Sequence, residues 1–268
     1  MRLIVLGVLL AAAVVTAAAT EPTAAPVVLA GSTEDGRLVV FRADRPGVTH
    51  VIRPSGIAGA LVGVDTRPAD GQLYGLTTSN DLYRIDASSG AATLVSTLTI
   101  PFDGDIRSGI AFNPQTDRLR LVSAAGQNLR VNVLLGATAV DGPLAYGVHD
   151  PNAGKRPAIA GAAYTNAVRD APTTKLYEID AASDVLALQD PPNDGVLATV
   201  GPLGVDVDAL AGFAIVTDGA GTDRAYAVTG GTLYTVDLAT GRATAVGAIG
   251  PPAVPLVSLA ALAGPDAP

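Results

Sequence analysis

A four-strand unit that recurs along the chain constrains the fold more than any other feature of the sequence. Its clearest copy spans residues 61–97, where four short apolar segments are separated by turns rich in glycine, asparagine, aspartate and proline. The first segment of each copy carries a glycine, at Gly63, Gly109, Gly161 and Gly212, at intervals of 46, 52 and 51 residues. A repeating four-strand unit of about 40–50 residues is typical of a β-propeller blade.

The two ends of the chain predict how the ring closes. Residues 27–53 contain three strand-like segments without a first strand, and residues 256–262 form one strand-like segment left at the other end. Pairing them completes a blade and removes the exposed edges of an open array. We therefore predict an all-β fold over residues 27–264: a five-bladed β-propeller of four-stranded antiparallel blades, closed by pairing the N- and C-terminal strands. A β-sandwich and a pair of small barrels are the alternatives.

The N-terminus has the pattern of an export signal. Arg2 precedes an uncharged apolar run that ends in Ala17-Ala18-Ala19, which fits the small-residue rule for signal cleavage. The predicted organisation is a signal peptide at 1–19, a linker at 20–26, the propeller, and a tail at 265–268. An uncleaved membrane anchor is the alternative. After cleavage we expect no stable membrane insertion, and a location in the periplasm, at the cell surface or in the medium.

The composition excludes several kinds of chemistry. The 268 residues have a formal net charge of −8, no cysteine, no tryptophan and two histidines, His50 and His149. A disulfide scaffold, a cysteine-ligated metal, a thiol nucleophile and a histidine-rich metal centre are therefore excluded. An acidic chain with few aromatic residues also lacks the cationic surface and the stacking side chains with which proteins bind nucleic acids. Because no hydrolase, zinc-protease or phosphate-loop motif occurs, we assign no catalytic residues.

Two long connections between predicted blades, 99–108 and 141–158, carry most of the candidate ligand-binding residues. They belong to the face of the ring that also carries the turns between second and third strands, and long loops are often functional. The candidates in them are Asp103, Asp105, Arg107, His149, Asp150 and Asn152. We predict that Asp103, Asp105 and Asp150 lie together by the channel and weakly bind a divalent cation such as calcium. Solvated loops and Asp/Gly hairpin turns are the alternatives.

The remaining candidates, Arg120, Asn128 and Arg130, lie in the second copy of the repeat, which begins at Gly109. Tyrosine (Tyr74, Tyr177 and Tyr226) stands at the position of Arg120 in other repeats. Because a guanidinium group forms paired hydrogen bonds, an arginine in place of an aromatic residue predicts an anion or carboxylate site. An ion pair between blades, with an acidic turn residue, is the alternative.

Several segments of the sequence together resemble a known bacterial family. They include Gly-Ile-Ala-Phe-Asn-Pro at 109–114, Gly-Gln-Asn-Leu-Arg-Val-Asn at 126–132 and Gln-Asp-Pro-Pro-Asn-Asp-Gly at 189–195. The set resembles the domain-of-unknown-function family 4394, over nearly all of the predicted mature chain. The resemblance implies an exported repeat protein and no known activity. Where members usually have Asp-Thr before a turn glycine, this chain has Leu134-Leu135.

These features favour an exported propeller that acts as a non-catalytic binding or scaffold module. We expect a monomer whose partner is a protein or a small molecule of unspecified kind. A hydrolase or lyase with channel carboxylates and a divalent cation is one alternative, and a structural protein of the surface or matrix is another. Two carboxylates that converge in a closed pocket would favour the enzyme, whereas a solvent-filled channel would favour binding.

Overall fold

The computed structural model describes residues 26–262 and confirms the five-bladed β-propeller. The predicted signal peptide, the linker except Pro26, and the tail at 265–268 lie outside the described residues. Five antiparallel sheets form the blades, and the first strands of neighbouring blades pack against one another around a central channel. Within residues 26–262, no helix has the length and apolar character needed to cross a membrane.

Each blade is described from the channel outward. Blade 1 consists of β21 (Ala260–Leu262), β1 (Val28–Ser32), β2 (Leu38–Arg42) and β3 (Arg45–Ile52). Blade 2 consists of β4 (Leu61–Thr66), β5 (Leu73–Thr77), β6 (Asp81–Ile85) and β7 (Ala92–Thr97). Blade 3 consists of β8 (Ser108–Asn113), β9 (Arg118–Ser123), β10 (Asn128–Val131) and β11 (Thr138–Val140).

The last two blades differ in strand number. Blade 4 consists of β13 (Ile159–Tyr164), β14 (Leu176–Asp180), β15 (Val185–Gln189), β16 (Val196–Pro202) and an added outer strand, β12 (Ala145–Tyr146). Blade 5 consists of β17 (Ala211–Thr217), β18 (Asp223–Thr229), β19 (Thr232–Val236) and β20 (Ala243–Ala248). A short 3₁₀ turn, Pro192–Asp194, connects β15 to β16.

The ring closes as the ends of the sequence predict. Strand β1 pairs antiparallel with β21, with Ala30 opposite Ala260. The residues before β21 are buried but lie outside the strand, so the paired segment is shorter than predicted. Ser258 strengthens the closure, because its Oγ lies 2.6 Å from Ser32 Oγ and accepts the N–H of Val64 at 3.2 Å. Side-chain and strand hydrogen bonds therefore join the two ends of the chain.

The hydrophobic core is divided among the five blade interfaces, with one buried cluster at each. Tyr74 packs between blades 2 and 3, Tyr177 between blades 4 and 5, and Tyr226 between blades 5 and 1. Each fully buried aliphatic or aromatic side chain contributes roughly 1.5–3 kcal/mol. At the interface of blades 3 and 4 the equivalent residue is Arg120, so this interface is built differently.

The connection 141–158 is more ordered than a solvated loop. Its β12 residues pair in parallel with β16, and Tyr146 donates a hydrogen bond of 2.6 Å from its hydroxyl to Asp180 Oδ2. Asp180 Oδ1 accepts the N–H of Ala158 at 2.8 Å. The segment therefore packs against blade 4, the blade that it enters.

Candidate functional site

A cavity of about 590 Å³ opens at one end of the channel, where the first strands lead into the turns to the second strands. We call it the channel mouth. All five blades line it, with Val28, Asp65, Phe112, Tyr164 and Ile215 from blades 1 to 5 in turn. Ligand pockets for small molecules typically measure about 300–1,000 Å³, so the channel mouth is of suitable size.

The channel mouth lies on the opposite face from the two long connections that the sequence favoured. Residues 99–107 and 141–158 lead into the amino-terminal ends of β8 and β13. The cavity is lined by the carboxyl-terminal ends of those strands, at Phe112 and Tyr164. The candidate residues in the long connections are therefore separated from this cavity by the length of a strand.

Asp65 departs from the repeat at the channel mouth. In blades 3 to 5 the corresponding first-strand residue is alanine, at Ala111, Ala163 and Ala214, each opposite Arg120 or a tyrosine of the second strand. Asp65 occupies the same place opposite Tyr74. A carboxyl group thus replaces a methyl group in the wall of the cavity.

The surroundings of Asp65 disfavour its charged form. Its Oδ2 accepts the N–H of Phe112 at 2.7 Å. Burial nevertheless raises the pKa of Asp65 to about 7, against the lowering effect of the N–H groups of Phe112 and Thr66. The neighbouring Thr66 Oγ1 is also buried without a hydrogen-bond partner among residues 26–262. One wall of the cavity therefore offers a titratable carboxyl group and a hydroxyl group.

A second carboxyl group, Asp218, lines the cavity from blade 5 and is already engaged. Its Oδ1 accepts the N–H groups of Thr222 and Ala220, each at 2.9 Å. Its Oδ2 lies 3.6 Å from Nη2 of Arg224. The hydrogen bond from Thr222 is the main reason why the pKa of Asp218 is lowered. Asp218 therefore holds the turn between β17 and β18.

Arg67 fixes the rim of the channel mouth. Its Nε donates to Asp117 Oδ1 at 2.8 Å and its Nη1 donates to Asp70 Oδ2 at 2.7 Å. Its guanidinium carbon lies 5.9 Å from the centre of the Tyr74 ring. These contacts join the turn of blade 2 to the turn of blade 3, so this side of the rim is rigidly held.

A second cavity, of about 440 Å³, lies between blades 3 and 4. We call it the interblade groove. Three arginines, Arg118, Arg120 and Arg130, line it together with Tyr164 and Asn193. Tyr164 also lines the channel mouth and thus forms a wall between the two cavities.

The structure brings together three predicted site residues, Arg120, Asn128 and Arg130, at this interface. Arg120 is 2% exposed, and its Nη1 donates to Asn128 Oδ1 and Asp141 Oδ2, each at 2.6 Å. Its Nη2 donates to Asn193 Oδ1 of blade 4 at 2.8 Å. Arg130 donates to both oxygens of Asp141, at 2.6 and 2.9 Å. Arg120 therefore forms the buried ion pair that was the alternative to an anion site.

Glu178 adds an unusual group to the same interface. It is fully buried, and neither of its carboxyl oxygens has a hydrogen-bond partner among residues 26–262. Burial raises its pKa to about 8, with a lowering effect from Arg120 and a raising effect from Asp180. Glu178 is therefore mostly protonated and uncharged at neutral pH.

The candidates in the connection 99–107 lie near the surface. Asp103 is exposed, and its N–H donates to Gln127 Oε1 at 2.8 Å. Asp105 is 49% exposed and forms an ion pair with Arg107, which lowers the pKa of Asp105. These contacts are typical of a solvated turn.

The candidates in the connection 141–158 attach that segment to blade 4. Asp150 accepts the N–H of Thr199 at 2.6 Å and its hydroxyl at 2.7 Å, and Asn152 donates to the same hydroxyl at 2.9 Å. His149 is exposed. In the described part of the chain, no three Asp, Glu, His or Cys side chains form a group that could hold a metal ion. The convergence of Asp103, Asp105 and Asp150 that we predicted is therefore absent from this structure.

Several residues of the two cavities were missed by the sequence analysis. Aligning the repeats by their first-strand glycines would have shown Asp65 in a column of alanines. Aligning the second strands by Tyr74, Arg120, Tyr177 and Tyr226 places Glu178 in a column with Gly75, Leu121 and Ala227. Asn193 and Asp141 come from connecting segments that do not repeat, so no such signal identifies them.

Comparisons with known proteins support the fold and place the chain in a family. A protein of unknown function from Bacteroides thetaiotaomicron VPI-5482 has a TM-score of 0.51 and 18% identity, over 82% of this chain and 54% of that one. This chain therefore spans about half the length of that protein. A protein of unknown function from Bacteroides caccae has a TM-score of 0.43 and 12% identity, over 82% and 72% of the two chains. YCF48 bound to D1 peptide has a TM-score of 0.38 and 14% identity, over 80% and 65%.

Sequence comparison identifies the family of this chain. Among curated proteins, none has significant sequence similarity to this chain. The family model described as Domain of unknown function (DUF4394) matches residues 37–260, most of the chain, so the protein belongs to the DUF4394 family.

Proposed function

We propose that this propeller is an exported, non-catalytic binding module, and that its channel mouth binds a small apolar molecule that carries an amine. One observation carries the proposal: Asp65 places a carboxyl group at an alanine position inside a cavity of about 590 Å³. The N-terminal sequence pattern supports export.

The apolar part of the ligand would contact the strand ends of several blades. Val28, Phe112, Ile215 and Leu262 give the cavity an aliphatic and aromatic wall. Removing apolar surface from water contributes roughly 25 cal/mol per Å², which is the main source of affinity for a molecule of this kind. A few polar groups in an apolar pocket then determine the orientation of the ligand.

The state of Asp65 favours an amine over an acid or a neutral molecule. A carboxylate that is removed from water without a counter-ion is costly, which is why burial raises its pKa to about 7. A bound ammonium group would supply the missing positive charge and stabilise the ionised carboxylate. Binding of an amine should therefore strengthen as the pH rises through 7 and Asp65 loses its proton.

The arrangement of carboxyl groups supports a binding module over a hydrolase or lyase. General acid–base catalysis by two carboxyl groups requires both within reach of one substrate. Asp65 belongs to blade 2 and Asp218 to blade 5, and blade 1 lies between them in the ring. The oxygens of Asp218 are occupied by the turn and by Arg224, so it does not form a catalytic pair with Asp65.

The experiment compares 3-phenylpropylamine with 3-phenylpropanol, by calorimetric titration of the purified protein at pH 6 and pH 8. With a pKa of about 7, the ionised fraction of Asp65 rises about tenfold over this range, and the amine affinity should rise by a similar factor. Asp65→Asn should abolish this pH dependence. Asp105→Asn, which removes an exposed acid on the opposite face, is the matched control and should change nothing. Equal binding of amine and alcohol, or an unchanged profile in Asp65→Asn, would overturn the proposal.

Export is tested separately by N-terminal sequencing. Cleavage after Ala19 gives a mature protein that begins at Thr20. Recovery of this N-terminus from the periplasm or medium supports export, whereas an intact Met1 in the membrane fraction supports the uncleaved anchor.

A further inference from the structure

We propose that the interblade groove is a second binding site, which takes the oxyanion of a small molecule: a carboxylate or a phosphate group. The groove has a volume of about 440 Å³ and its polar lining includes three arginines. It shares Tyr164 with the channel mouth, but its arginines come from blade 3, whereas Asp65 of the channel mouth comes from blade 2. The proposal therefore stands independently of the amine site.

The groove has an excess of positive charge. Asp141 is 5% exposed and is the carboxylate that pairs with both Arg120 and Arg130. Within residues 26–262, Arg118 forms no ion pair, and its Nη1 donates instead to the neutral carbonyls of Thr116 and Asp117. Three arginines line the groove and Asp141 pairs with two of them, so these four groups together carry about two positive units, in a protein whose formal net charge is −8.

Nearby acids cancel only part of this charge. Arg67 binds both Asp117 and Asp70, so this cluster beside Arg118 carries one net negative unit. Glu178 lies close enough to Arg120 for an electrostatic interaction, but it is mostly protonated at neutral pH. The remaining positive charge is therefore available to an anion that enters the groove.

Arg120 and Arg130 have different roles in the groove. Asn128, Asp141 and Asn193 hold Arg120 in one orientation, so its charge is fixed before a ligand arrives. Arg130 is 39% exposed, and Asp141 engages its Nε and Nη2. Its Nη1 has no hydrogen-bond partner among the described residues. Arg130 thus provides donors at the edge of the groove.

The geometry of these groups favours an oxyanion over a halide. Guanidinium groups donate pairs of roughly parallel hydrogen bonds, which match the two oxygens of a carboxylate or phosphate. The Tyr164 hydroxyl, 3.5 Å from Nε of Arg120, adds a neutral polar group on the blade 4 side. The oxyanion of the ligand would therefore lie between Arg118 and Arg130, over the buried Arg120.

The test is calorimetric titration of the purified protein with succinate and, separately, with inorganic phosphate, at constant ionic strength maintained with chloride. We expect millimolar or tighter binding of at least one probe. Arg118→Gln and Arg130→Gln should each weaken it about tenfold, without a large change in the unfolding midpoint. Arg107→Gln removes an exposed arginine that also pairs with one aspartate, and this control should leave the affinity unchanged.

Each outcome decides the proposal. Tighter binding of succinate identifies a carboxylate site, tighter binding of phosphate identifies a phosphate site, and both support an oxyanion groove. The proposal would be overturned if neither probe bound at about 20 mM. It would also be overturned if Arg107→Gln weakened binding as much as the groove variants, because that would indicate a general charge effect. Asp65→Asn should leave the anion affinity unchanged, which separates this site from the channel mouth.

Discussion

The channel mouth and the interface between blades 3 and 4 both carry charged residues where the repeat has small or apolar ones. At the channel mouth, Asp65 replaces alanine, and no arginine or lysine among residues 26–262 forms an ion pair with it. At the interface, Arg120 replaces tyrosine and is enclosed by partners from two blades and their connection. An ionisable residue in the inner strands therefore either pairs with other protein groups, as Arg120 does, or stays available to a ligand, as we propose for Asp65.

Removing the enclosed charge of Arg120 should change the stability most. Arg120→Met should destabilise the protein by about 3–5 kcal/mol, because Asp141 stays buried while it loses one of its two cationic partners. Asn128 and Asn193 also lose a donor. Urea denaturation at pH 7 measures the change. Arg130→Gln is the control: this half-exposed partner of the same Asp141 should contribute no more than about 1 kcal/mol. Similar losses from both variants would contradict the distinction.

The second expected effect concerns Glu178 and pH. Native Glu178 keeps its proton up to a pKa of about 8, whereas its ordinary value is 4.5. The unfolded chain therefore binds fewer protons between these values, and stability should fall as the pH rises, by up to about 1.4 kcal/mol per pH unit. Glu178→Gln should flatten this part of the profile and be the more stable protein at pH 9, by a few kcal/mol. Denaturation from pH 4 to 9, with the exposed Glu34→Gln as control, checks it. Parallel profiles for Glu178→Gln and the natural protein would contradict the assignment.

Asp65 should show a smaller effect of the same sign. Its pKa of about 7 lies above its ordinary value of 3.8, so its contribution to stability is largest at low pH and is lost as the pH rises toward 7. Because the side chain borders a water-accessible cavity, we expect Asp65→Asn to stabilise the protein at pH 8 by only about 1–2 kcal/mol. Urea denaturation with and without 3-phenylpropylamine measures this change in the free energy of unfolding. The amine should reverse the order of stability of the natural protein and Asp65→Asn, and should not do so for Glu178→Gln.

The blades and their closure could be predicted from the sequence because both rest on regular features. The first-strand glycines recur at intervals of 46, 52 and 51 residues, and the unpaired ends of the chain are complementary. Strand β12 could not be predicted, since Ala145 and Tyr146 are too few residues to show a strand period. The face that carries the larger cavity was also missed. The length of the two connections predicted a site on their face of the ring. The pairing of Asp65 with Tyr74 instead places a carboxyl group on the opposite face, at the channel mouth.

The polar interface could be predicted only in part. Arg120, Asn128 and Arg130 are close in sequence and lie on paired strands, so their proximity follows from the fold. Their partners come from connecting segments: Asp141 is 21 residues from Arg120 and Asn193 is 73 residues away. Nothing in a single sequence specifies how such segments lie against a strand. The arginines alone therefore left both an anion site and an ion pair open.

The weakest effects on stability should distinguish the two long connections, although the sequence pattern predicted that both contribute to one cation site. Asp105 is 49% exposed and pairs with Arg107 within its own turn, so Asp105→Asn should change stability by no more than about 0.5 kcal/mol. Asp150 accepts two hydrogen bonds from Thr199 of β16, and Asp150→Asn should cost about 1–2 kcal/mol because those donors lose their ionised acceptor. Thermal unfolding measures both effects, with and without millimolar calcium.

The structure does not bring Asp103, Asp105 and Asp150 together. Calcium should therefore raise the unfolding temperature of the natural protein and of both variants no more than sodium at the same ionic strength does. A calcium-dependent rise that both substitutions abolish would show that these connections converge in solution.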